Sequence, residues 1–84
     1  MFDKETMKIV EILKAVPDSK SEDDLTMKSY TDILAEAAQR GISQYVLDSG
    51  LRRLPTQGLA AVYRSPNGSI RGVIPTKMFR NLFM

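Results

Sequence analysis

Apolar residues recur at helical spacing from the start of the chain. In "DKETMKIVEILKAVP", Ile9, Val10, Leu13 and Val16 share one side, Asp3 can cap the beginning and Pro17 halts the run. This predicts a first helix over about residues 4 to 15. The pattern then lapses into the polar, acidic "PDSKSEDDLTMK", which reads as a connector in which Ser21 followed by Asp24 suits the start of a short helical turn. Periodicity returns at Ser29, where Tyr30, Ile33, Leu34, Ala37 and Ala38 form a stripe at spacings of three and four, and Ser29 with Asp32 has the form of a capping box. A second helix is expected over about 30 to 40. Gly41 can take the positive φ that ends it, Ile42 offers an apolar plug and Ser43 can cap a third helix from Gln44. In "SQYVLDSGLRRLP", Leu47, Leu51 and Leu54 point to the core, Tyr45, Ser49 and Arg52 lie opposite, and Asp48 and Arg53 sit at the flanks. Gly50 costs about 1 kcal/mol relative to alanine in a helix, so a bend or stop is expected there. Pro55 closes the segment.

The period then changes. "GLAAVYRSPNGSIRGVIP" has two β-prone runs around Ser65-Pro66-Asn67-Gly68, and these residues suit a type I turn followed by a left-handed glycine. Counting outward from Ser65 opposite Ser69 pairs Tyr63 with Arg71, Val62 with Gly72 and Ala61 with Val73, which puts Val62, Ala60, Ile70 and Ile74 on the other side of the ribbon. After Pro75, Thr76 can cap a last short helix, "KMFRNLFM". The expected fold class is a single α+β domain over residues 1 to 84, with three to four helices and one β-hairpin.

Composition narrows the chemistry. There is no histidine and no cysteine among the 84 residues, hence no common general base, thiol nucleophile, disulfide or soft metal ligand. No glycine-rich phosphate loop appears, and Glu22, Asp23 and Asp24 lack the alternating ligands and central glycine of a calcium loop. A non-enzymatic protein without metal or cofactor is expected. No apolar run has the length of a membrane span, and "MFDK" lacks the order of a secretion signal, so a cytoplasmic location is expected and no membrane partner.

Charge adds a direction. Residues 1 to 42 hold six Lys and Arg against nine Asp and Glu, net −3, while residues 43 to 84 hold six against one, net +5. Arg52, Arg53, Arg64, Arg71, Lys77 and Arg80 all follow residue 50 with no acid among them. Several cations on one face are what phosphate neutralisation requires, because each contact releases a counterion. Each of these residues alone also suits a plain solvated surface, and Tyr63 beside Arg71 a simple cross-strand pair.

The run "YTDILAEAAQRGISQYVLDSGLRRLPTQGLAAVYRSPNGSIRGVIPT", about residues 30 to 76, resembles the winged helix-turn-helix family, with a helix, a tight turn, a recognition helix, "RL..GL" and a β-wing. The resemblance implies a winged-helix-like arrangement, with the third helix in the major groove of double-stranded DNA and the wing along the backbone or minor groove. Carried across by position, Gln44, Tyr45, Ser49 and Arg52 would face the bases, and Arg53, Arg64 and Arg71 would meet phosphates. Two departures stand out. Glu36 and Arg40 fall where the helix-turn-helix pattern has apolar side chains, and so does Gly50.

The preferred expectation is a small DNA-binding protein, a transcriptional regulator or accessory factor. The alternative is a protein-interaction module, such as a small phage-type or plasmid-type inhibitor or adaptor, that grips a larger protein through the hairpin or the last helix. Phe79, Leu82 and Phe83 either complete the core or form a seam for a homodimer or another partner; the core is favoured because a chain this short needs its large apolar residues inside.

Overall fold

The computed structural model describes residues 2–21 and 23–84. In chain order they form α1 (Lys4–Ala15), β1 (Ser19–Lys20), β2 (Thr26–Ser29), α2 (Tyr30–Gln39), α3 (Gln44–Arg53), β3 (Ala60–Arg64), β4 (Ile70–Pro75) and α4 (Lys77–Phe83). The sheet is antiparallel with order β1-β2-β4-β3. The result is an α+β, winged-helix-like fold: three helices pack together, a strand precedes α2, and the β3-β4 ribbon follows α3. Among the described residues no helix is long and apolar enough to cross a membrane.

The helix boundaries follow local chemistry. Asp3 accepts from the Thr6 N–H at 2.8 Å, satisfying a free donor of the first turn of α1, and this bond holds its carboxyl below the usual carboxylate range. Gly41 has φ +74°, and the Ile42 N–H donates back to the Ala37 carbonyl at 2.9 Å, the bond that closes α2 and turns the chain. Ser43 then accepts from the Val46 N–H to cap α3, and Thr76 accepts from the Phe79 N–H to cap α4. Ser29 stands at the N-cap position of α2, but its side chain makes no capping bond; the residue also ends β2, paired with Gly72.

The core draws on every helix. Ile9, Ile12 and Leu13 of α1 meet Ile33 and Ala37 of α2, Leu47 and Leu51 of α3, Val73 of β4 and Phe79 of α4, all essentially without solvent contact. Gly50 neither bends nor stops α3, which continues to Arg53. A Cβ placed there would lie 2.6 Å from Ile9 Cγ1. The residue that weakens the helix locally is the one that lets α1 and α3 approach.

Two parts of the fold depart from the sequence-based expectation. The acidic connector carries β1 and β2, and the segment between them is a strand-to-strand turn rather than a turn of helix: the Asp24 N–H reaches the Ser21 carbonyl, and Asp24 itself has φ 63°. Glu22 of that cluster lies outside the described residues. Lys28 of β2 is buried, its Nζ donating to the Val16 carbonyl at 2.6 Å and lying 3.2 Å from Asp18. It places a cation at the C-terminal end of α1, where the helix dipole favours one.

The hairpin register also shifts. The turn forms as expected, with the Gly68 N–H on the Ser65 carbonyl, Gly68 at φ +89° and Ser65 bonded to Ser69. Arg64 pairs with Ile70, but Tyr63 pairs with Gly72, Val62 with Val73 and Ala61 with Ile74. Arg71 is thus the extra residue of a β-bulge, and it does not sit opposite Tyr63. The bulge puts Val73 on the core side beside Val62, and β2, invisible to hydrophobic periodicity, joins there through Lys28 opposite Val73. It also brings Gly72 under Met27, so closely that a Cβ would lie 2.5 Å from the sulfur.

Candidate nucleic-acid interface

The helix-turn-helix geometry exposes one side of α3. Leu47, Gly50, Leu51 and Leu54 are buried, so residues on the other side project outward: Tyr45 is 80% exposed, and Ser49, Arg52 and Arg53 are also open to solvent. The wing lies beside this helix. Gln44, Asp48 and Arg52 of α3, Tyr30 of α2, and Gly68, Ser69 and Ile70 of the wing together line a cleft of about 260 Å³. Arg64 does not line the cleft itself; its strand position pairs with Ile70, which does.

Not all the arginines named above converge there. Arg53 turns toward the start of α1 and lies 3.9 Å from Asp3, and Arg80 lies 3.6 Å from Asp18. Arg71, carried away by the bulge, lines a separate cavity of about 230 Å³ with Ser21, Asp23, Met27 and Tyr63, where Tyr63 donates to Asp23 at 2.7 Å. The five late arginines are therefore dispersed. The cleft retains Arg52, with Arg64 beside it at the wing, and among the described residues neither forms an ion pair.

Sequence reasoning passed over the polar link that orients α3. Tyr30, counted there as part of the apolar stripe of α2, donates its hydroxyl to Asp48 Oδ1 at 2.6 Å and accepts from Gln44 Nε2 at 3.1 Å. Burial and the carboxylate partner push the Tyr30 phenol above its ordinary value. The link joins α2 to α3 beside their apolar contact, in which Ile33 and Ala37 share the core with Leu47 and Leu51. Glu36 and Arg40, the polar residues at two positions where the helix-turn-helix pattern has apolar side chains, pair with each other at 2.8 Å on α2. Asp48, the single acid after residue 42, was the one available signal of the link.

At the far end of the chain, Phe79 is fully buried and belongs to the core, so it is withdrawn from any external seam. Phe83 is half-buried, with ring centroids 5.2 Å from Phe79 and 6.0 Å from Phe2. Leu82 is 57% exposed, and Met78 and Met84 are exposed with it. Among the described residues no group of His, Cys, Asp and Glu is arranged to hold a metal ion. Compared with family models, with curated proteins and with solved structures, the chain finds no match in any of the three.

Proposed function

We propose that this protein is a small, non-enzymatic DNA-binding protein, a regulator of transcription or an accessory factor, that lays α3 in the major groove and rests the wing on the adjacent backbone. The observation that carries the proposal is the shared cleft, where Gln44 and Arg52 of α3 meet the wing turn at Gly68 and Ser69. Phosphate contacts from a neighbouring element fix the register and orientation in which an exposed helix meets base edges. Gln44, Tyr45 and Ser49 would contact bases; Arg52, which the resemblance assigned to the bases, shares its cleft with the wing turn and would instead anchor a phosphate, as Arg64 would. Arg53 takes part where a duplex displaces Asp3, and Arg71, lining a separate cavity, stands outside the proposed contact.

With Arg52 in the cleft and Arg64 on the wing as the two anchors, the electrostatic contribution is modest. Affinity for a duplex is expected to fall with salt at a log–log slope near −2, at roughly −0.9 per neutralised phosphate. Arg52→Ala and Arg64→Ala are each expected to make the slope shallower by about 0.9. Fluorescence anisotropy with a labelled duplex across a salt series reads both quantities, and slopes unchanged in both variants would speak against this surface.

The exposed apolar side of α4 supports a second possibility, a protein-interaction module working through Met78 and Leu82. A module of that kind leaves every duplex unbound, and its capture of a partner is sensitive to Leu82→Ala while indifferent to Arg52→Ala.

A further inference from the structure

Two acid–base pairs occupy equivalent helical spacings in this fold and behave differently. On α2, Glu36 and Arg40 stand four residues apart and close to 2.8 Å. On α3, Asp48 and Arg52 stand four residues apart on the wall of one cleft, yet no ion pair forms between them. An acid and a base at this spacing on a helix surface are within reach of each other and attract by about 0.2–0.5 kcal/mol. The difference is Tyr30, whose hydroxyl takes Asp48 Oδ1 at 2.6 Å while Gln44 Nε2 donates to the same phenol oxygen.

We propose that Tyr30 is a positioning residue of the interface: by binding the Asp48 carboxylate it keeps the Arg52 guanidinium free to meet a phosphate of the duplex. This rests on the DNA-binding function proposed above. Tyr30 has no need to touch DNA in this role. It is the first residue of α2 and reaches across to α3, so one hydrogen bond both ties the two helices together and engages the Asp48 oxygen that would otherwise be open to direct contact with Arg52. Without the hydroxyl, Asp48 swings to Arg52 and the cleft loses a donor that the duplex would otherwise use.

The test compares wild type, Tyr30→Phe, Asp48→Asn and the double variant, using a labelled mixed-sequence duplex at low salt. Thermal melts confirm that each variant is folded. Tyr30→Phe is expected to weaken binding about fivefold and to make the salt slope shallower by about 0.9. The double variant is expected to recover wild-type affinity within about twofold, because the competing carboxylate is gone. In the protein alone, the Arg52 Nε–Hε resonance is expected to move in Tyr30→Phe and return in the double variant. A purely structural role predicts instead that Asp48→Asn raises affinity by the same factor with and without the Tyr30 hydroxyl, and that additivity overturns the proposal, as does an unchanged Arg52 resonance in Tyr30→Phe. Absence of wild-type binding to any duplex overturns the DNA-binding function, while the Arg52 resonance still decides whether Tyr30 governs that side chain.

Discussion

Gly50→Val is expected to unfold the protein far more readily than any surface change, with a loss of about 3 kcal/mol, or roughly 15 °C in Tm for a domain of this size. Two effects oppose each other at this position. Replacing the glycine in the middle of α3 by valine gains only about 0.4 kcal/mol in helix propensity, valine being itself a weak helix former. Against that, the first added carbon falls 2.6 Å from Ile9 Cγ1 and 2.8 Å from Ile9 Cδ1, and Ile9 is 1% exposed, held by the rest of the core. Overpacking of this kind costs about 1–3 kcal/mol for alanine-sized additions and more for a branched side chain. Steric overlap therefore exceeds propensity, and the helices must separate. Pairing Gly50→Ala with Ile9→Ala should cost less than the sum of the single variants, because the second change removes the obstacle to the first. Thermal and denaturant unfolding measure both, and a Gly50→Val variant as stable as wild type would contradict the close α1–α3 contact.

Phe79→Ala is expected to cost about 3–5 kcal/mol, the range for emptying a buried aromatic site. Phe79 is fully buried, and its ring also supports Phe83. Leu82, three residues on and 57% exposed, is expected to change stability by no more than about 0.5 kcal/mol when replaced by alanine. The contrast separates the two duties that a short apolar helix can have. Urea unfolding of the two variants side by side decides between them. Equal, small losses would mean that α4 is attached only loosely, and its apolar residues would then be available to a partner.

What could be read from the chain and what could not follow from physics that differs between segments. The helices were legible because their signals are local: Asp3, Gly41, Ser43 and Thr76 each cap or end a helix through bonds within a few residues. The wing turn was legible for the same reason. β1 and β2 were not, since β1 spans two residues, β2 four, and the buried member of β2 facing Val73 is a lysine. Lys28 defeats hydrophobic patterning because its charge is satisfied by Val16 and Asp18, at a distance no spacing rule can foresee. The shift in the hairpin has the same origin, for the bulge at Arg71 answers to β2 rather than to the turn. At the candidate interface, the outward face of α3 was readable from periodicity. The dispersal of the arginines and the Tyr30 link depend on contacts across the fold, and Gly50, which looked like a fault in the helix, proved to be a point of close packing.

In the proposed mode α3 and the wing meet a duplex as one surface. An amide chemical-shift map of the isotope-labelled protein, titrated with a short mixed-sequence duplex at low salt, tests this arrangement directly. Shifts are expected to concentrate at Gln44, Tyr45, Ser49 and Arg52 and along the wing from Arg64 to Ile70, fading as salt is added. Shifts confined to Met78 and Leu82, or none at all, would contradict it.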